Sequence, residues 1–162
     1  MKWFRIPEWI WEFPDYVFWL LGYEEKKEYH LMNLGSQYLA FEITEASRTA
    51  ILGQFKPQFK GKVLCHHVTV EFNLTEDSYT KLAEELEGAD LQIIGHQTGK
   101  GVECLVVSVN DNPKRPDGKY YHITLSLAKG HRPEESNQLL QQQGYQSCIP
   151  VGFEAELKLL DK

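Results

Sequence analysis

Apolar and polar residues alternate with two distinct periods along this chain, and the changes of period mark its elements. From Gln37 the run Tyr38-Leu39-Ala40-Phe41-Glu42-Ile43 has the composition and two-residue alternation of a strand. Thr44 is placed to cap a helix over Ser47 to Phe55, which Pro57 ends. A turn at Lys60-Gly61-Lys62 leads into a predicted strand from Val63 to Phe72. Thr75 caps a second helix, with Glu76 and Asp77 at the positive end of its dipole and a buried stripe of Tyr79, Leu82, Ala83 and Leu86. Ala89 to Ile94 and Val102 to Val109 read as a hairpin around Gly99-Lys100-Gly101. After a turn-rich loop from Asn110 to Gly118 comes a strand from Tyr120 to Leu127. Pro133 opens a helix running to about Gln142, and Val151 to Leu160 closes the chain as a strand with Phe153, Ala155, Leu157 and Leu159 on one face. This order predicts an α+β fold with mostly antiparallel sheet.

The first 36 residues follow another rule. Trp3, Phe4, Trp9, Trp11, Phe13, Tyr16, Phe18, Trp19 and Tyr23 crowd a segment broken by Pro7 and Pro14. The expected organisation is therefore an aromatic N-terminal extension, residues 1–36, packed on a domain of residues 37–162. The extension reads as a pair of short helices; a base-stacking wall, a self-association surface and an interfacial anchor are the alternatives. Its longest apolar run, Tyr16 to Leu21, falls far short of the roughly 20 residues that span a bilayer. Glu8, Glu12 and Asp15 interrupt any signal-peptide pattern. No membrane association is expected.

Composition narrows the partner. The 162 residues carry a net charge of −6, which leaves no general basic surface for a duplex and favours a small or short phosphorylated substrate. Cys65, Cys104 and Cys148 are odd in number and without zinc spacing, so they read as buried or free thiols in a reducing cytoplasm, with neither metal nor cofactor expected.

The candidate chemistry lies in a repeated pattern. His67-Val68-Thr69-Val70 and His122-Ile123-Thr124-Leu125 each read His, aliphatic, Thr, aliphatic. In a strand, residues two apart share a face, so each His projects with its Thr while the aliphatics enter the core. Two imidazoles can take and give protons, and two hydroxyls can hold phosphate oxygens. Which histidine is the base stays open. By the same alternation His66 should face away from His67, in a supporting or core position. A third copy, His96-Gln97-Thr98, is flanked by Gly95 and Gly99 and reads as a strand end without a catalytic role. Lys114 and Arg115 precede the second motif and are either exposed or near an anionic substrate.

On these two H-x-T motifs and the order of elements, residues from about Gln37 to Leu160 resemble the 2H phosphoesterase superfamily. The stretch from His122 to Leu127, with Gly130 and the run Pro133 to Leu140 after it, is most similar to phage anti-CBASS nucleases, which degrade cyclic oligonucleotide alarm signals. It is also similar to the cyclic phosphodiesterase domain of fungal-type tRNA ligases. The resemblance implies two lobes related by an approximate two-fold axis around a groove, and metal-independent hydrolysis of 3′,5′-linked cyclic di- or trinucleotides, in a host cytoplasm if the source is a phage. The alternatives are 2′,3′-cyclic phosphodiesterase activity in RNA repair and nucleotide sequestration without turnover. It further implies that the first and last strands line the groove, making Tyr38, Phe41, Phe153, and Glu154 or Glu156 candidates for base contacts. Lys129 and Arg132, just after the second motif strand, are candidates for further phosphates.

Overall fold

The computed structural model describes residues 34–162, so the aromatic segment and every expectation attached to residues 1–33 lie outside the described residues. Leu34 to Ser36 form the turn that enters the first strand, and the Lys162 amide donates to the Ser36 carbonyl. The elements follow as β1 (Gln37–Ile43), α1 (Glu45–Gln54), β2 (Lys62–Val63), β3 (His67–Glu71), α2 (Glu76–Glu85), β4 (Leu91–Gly99), β5 (Val102–Val109), β6 (His122–Leu127), α3 (Glu135–Gln143), β7 (Gln146–Gly152) and β8 (Ala155–Asp161). They build an α+β fold with two antiparallel sheets, one ordered β3-β1-β8 and the other β2-β6-β5-β4-β7. Among the described residues no helix is long and apolar enough to cross a membrane.

The local signals act where the sequence places them. The Thr44 hydroxyl accepts the Ser47 amide at the start of α1, and Thr75 and Ser78 cap each other reciprocally at the start of α2. The β4–β5 hairpin turns on Lys100 and Gly101, with φ of 51° and 81°. Two successive positive φ values are what a two-residue hairpin turn of the primed type needs, and glycine supplies the second without strain.

Two expected strands are each divided in two. The run Val63 to Phe72 breaks at Leu64–His66, leaving β2 in the five-stranded sheet and β3 in the three-stranded one. The run Val151 to Leu160 breaks at Phe153–Glu154, with its first part at the end of β7 and its second forming β8. Both breaks are places where the chain changes sheet. At the first, the Cys65 amide donates to Thr124 of β6, while the next carbonyl, that of His66, accepts from Ile43 of β1. Cys65 adopts φ of 51° there, a conformation that costs a non-glycine residue about 1–3 kcal/mol. At the second, the Phe153 amide bonds Leu91 of β4 and the Glu154 carbonyl accepts from Thr44 beyond β1.

One core cluster joins both sheets: Leu39, Phe41 and Ile43 of β1, Val68 and Val70 of β3, Leu105 and Val107 of β5, and Ile123 and Leu125 of β6. A second, with Val102, Cys104 and Val106, packs the other face of β5 against Leu139 and Leu140 of α3. Burying one Val, Leu or Ile side chain contributes about 1.5–3 kcal/mol. A one-residue slip of β6 would exchange Ile123 and Leu125 for His122 and Thr124 on the core face, so packing pins the register of the second motif.

Candidate active site

The change of sheet at Cys65 sets β3 beside β6, since Leu64 and Cys65 donate to Leu125 and Thr124 at 2.9 and 3.0 Å. With the aliphatic residues of both motifs in the core, the polar residues face a single cleft of about 150 Å³. It is lined by Leu64, His66, His67, Thr69, His122, Thr124 and Pro133. The structure thus brings His67, Thr69, His122 and Thr124 together from two strands of two different sheets.

Each imidazole has defined partners. His122 is buried and its Nδ1 lies 3.0 Å from the Tyr120 carbonyl. A carbonyl only accepts, so Nδ1 carries the proton and Nε2 of the neutral ring keeps its lone pair. His67 Nε2 lies 3.3 Å from the Tyr38 hydroxyl, and its Nδ1 lies 3.0 Å from Nδ1 of His66. The Thr124 hydroxyl is 3.0 Å from that of the fully buried Ser136, near the start of α3.

Both motif histidines are held neutral. Burial pushes His67 from the ordinary 6.5 to about 4, helped by the neighbouring His66 and His122 imidazoles, beside which a further charge is unfavourable, and opposed by Glu42. Burial likewise pushes His122 to about 4, opposed by its bond to the Tyr120 carbonyl and by Asp117, and helped by Arg115 and Lys119. A histidine lowered in the folded state binds its proton preferentially when unfolded. Between about pH 6.5 and 4 the unfolded chain therefore carries more protons, and stability rises with pH across that window. The denaturant midpoint should fall as pH is lowered through this window, and the double variant His67→Asn/His122→Asn should flatten the fall. An unchanged slope in the double variant would contradict buried, neutral histidines.

Several expected site residues stand elsewhere. His66 does not face away: it is exposed and lines the cleft beside His67, because strand alternation starts only at His67, after the irregular Leu64–His66 segment. Phe41 lies on the core face of β1, three residues and therefore one face away from Tyr38. Phe153 packs against the same core from the sheet-changing segment, while Glu154 is exposed and bonds the start of α1 through its backbone. Glu156 pairs with Glu42 in the β1–β8 register, one strand removed from His67, and Lys158 bridges the two carboxylates at 3.5 and 3.6 Å. Lys129 and Arg132 are exposed and outside the cleft lining; the Arg132 amide is held by the Glu135 carboxylate. Arg115 is buried and forked onto Asp117 at 2.7 and 3.2 Å, and Lys114 sits 3.5 Å over the Tyr120 ring.

His96 caps a separate network. It bonds the buried Glu103 at 3.0 Å, and Glu103 also accepts from the Ser126 hydroxyl and the Gln58 amide. Cys65 and Cys104 are buried free thiols, with burial pushing them up to about 11 and about 12, so both stay protonated. Among the described residues no group of three or more His, Cys, Asp or Glu is arranged to hold a metal ion.

Sequence reasoning turned His66 to the wrong face and missed Ser136, Pro133 and Glu42 as neighbours of the motifs. Only His66 carried a signal, as a third imidazole next to a motif. The chain matches no protein-family model, no curated protein and no solved structure.

Proposed function

We propose that this chain is a phosphodiesterase of the 2H type, hydrolysing 3′,5′-linked cyclic di- or trinucleotides by acid–base catalysis between His67 and His122. One observation carries the reading: both motifs deliver their His and Thr to one cleft from separate sheets. The two sheets, each contributing one motif strand, are compatible with the two-lobed, pseudo-two-fold arrangement of that superfamily. The net charge of −6 suits a small anionic ligand taken at a local site better than a long nucleic acid.

In this mechanism His122 is the base. Its Nδ1–H is held by the Tyr120 carbonyl, so Nε2 is free to take the proton of an attacking water or ribose hydroxyl. His67 returns a proton to the leaving oxygen, with Tyr38 orienting its Nε2. Thr69 and Thr124 hold the non-bridging oxygens as charge develops, the latter steadied by Ser136. A cleft of about 150 Å³ takes a phosphodiester and its adjoining sugar atoms and leaves the remainder of a ring outside.

The substrate class is tested by a panel of 3′,5′-linked cyclic dinucleotides and trinucleotides, a cyclic dinucleotide with a 2′,5′ linkage, and 2′,3′-cyclic mononucleotides. Linear products from the 3′,5′ rings support this reading. Cleavage confined to the 2′,3′-cyclic phosphates transfers the protein to RNA-end repair.

A further inference from the structure

The contact between His66 and His67 has a chemistry of its own. Their Nδ1 atoms are 3.0 Å apart, and two ring nitrogens at that distance form a hydrogen bond only if one is protonated and the other is not. The rings meet edge to face, with centroids 5.3 Å apart, so the contact is not a stack. The turn at Cys65 creates it by removing His66 from the strand alternation that would carry it to the opposite face. His67 is half-buried between Tyr38 and the cleft, whereas His66 is exposed and reaches solvent. The pair therefore connects the reaction cleft to bulk water through a single proton.

We propose that His66 is a proton relay acting through His67, the two rings forming a neutral pair that shares one proton between their Nδ1 atoms. In one arrangement His66 carries the Nδ1 proton and His67 carries its own on Nε2, beside Tyr38. When His67 gives its Nε2 proton to the leaving oxygen, the shared proton moves from His66 Nδ1 to His67 Nδ1. His66 then gains a proton on Nε2 from solvent, which receives the proton that His122 took from the nucleophile. Neither ring of the pair becomes charged, so the acid function survives at neutral pH although burial holds His67 far below its ordinary range. The charged and titratable groups around the pair fit a neutral state. His122 faces it from β6, Tyr38 and Glu42 face it from β1, and the Glu42 carboxylate is already engaged by Lys158 of β8.

The direction of proton flow rests on the phosphodiesterase reading; the shared proton does not. The test is therefore made in two arms on the full chain. In the first, nitrogen NMR of histidine-labelled protein near pH 7 should show one of the two rings protonated at Nδ1, the other at Nε2, and scalar coupling across the N–H···N bond. In the second, His66→Gln and His66→Ala should each lower kcat by about tenfold to a hundredfold with KM unchanged, the range seen when a residue orienting a catalytic group is removed. Added imidazole should restore part of the loss in His66→Ala, which a purely structural role would not allow. Two rings protonated at Nε2 with no coupling, in an active enzyme, would overturn the relay alone. Wild-type kcat in both variants across the neutral range would do the same. Coupling in a protein that turns over no phosphodiester would overturn the phosphodiesterase reading and the direction of flow with it.

Discussion

His67→Ala and His122→Ala are each expected to lower phosphodiester cleavage by about 10²- to 10⁴-fold, the usual contribution of one positioned acid or base. The losses should not multiply in the double variant, because a single proton transfer chain needs both ends. Folding should survive both changes near pH 7, since each removes a neutral ring that lines the cleft and leaves the aliphatic residues of its strand in the core. Thr69→Val and Thr124→Val keep strand propensity and volume while deleting the hydroxyl, so they should reduce kcat with little effect on stability. His96→Ala tests the discrimination among the H-x-T copies. Its imidazole bonds Glu103, outside the lining of the cleft, so activity should stay near wild type. Measured kcat/KM across these variants decides the assignment; equal loss at His96 and none at His67 would reverse it.

Glu103→Ala carries the largest expected effect on stability. Its side chain is 2% exposed, and its carboxylate accepts from His96, from the Ser126 hydroxyl and from the Gln58 amide. Truncation strands the fully buried Ser126 hydroxyl, leaves a cavity in its place, and takes the acceptor from the part-buried amide of the exposed Gln58. A buried unsatisfied group costs about 1–3 kcal/mol and the cavity adds to it, so a loss of roughly 2–4 kcal/mol is expected, with a fall in Tm on the order of 10 °C. His96→Ala should cost far less, because that side chain is 28% exposed and can be replaced by water. The network matters to the site because Gln58 and Phe59, whose amides it holds, lead into β2 and then into the Leu64–Cys65 crossing. Thermal unfolding of the two variants separates these effects. A Glu103→Ala protein as stable as the parent would mean the network is dispensable.

The sequence and the structure part company at identifiable places. Most of the strands, the helix caps and the pairing of His with Thr were legible because they depend on local spacing alone: Thr44 and Thr75 cap what they were expected to cap, whereas Gln146 to Pro150 of β7 lacked the alternation that would mark a strand. The changes of sheet were not legible. Val63 to Phe72 keeps a β-rich composition straight through its break, and the residue with positive φ is Cys65, not a glycine that would have announced it. That one residue misplaced His66. The error at Phe41 had a different origin. Tyr38 and Phe41 differ by an odd number of positions, so strand parity allows only one of them to face the cleft, and the resemblance to a family could not override that parity. Ser136 and Pro133 reach the motifs only because the chain folds back after β6 and α3 packs over β5 and β4, which brings Ser136 to Thr124, a contact with no local signature in the sequence.

Whether His67 and His122 cleave a phosphodiester with side chains alone is decided by single-turnover product analysis. Wild-type protein is incubated with a 3′,5′-linked cyclic dinucleotide and excess chelator, beside the His67→Ala/His122→Ala double variant. A linear product is expected from the wild type at a rate the chelator does not change, and none from the double variant. Turnover that persists in the double variant, or that requires added metal in the wild type, would contradict catalysis by the two histidines alone.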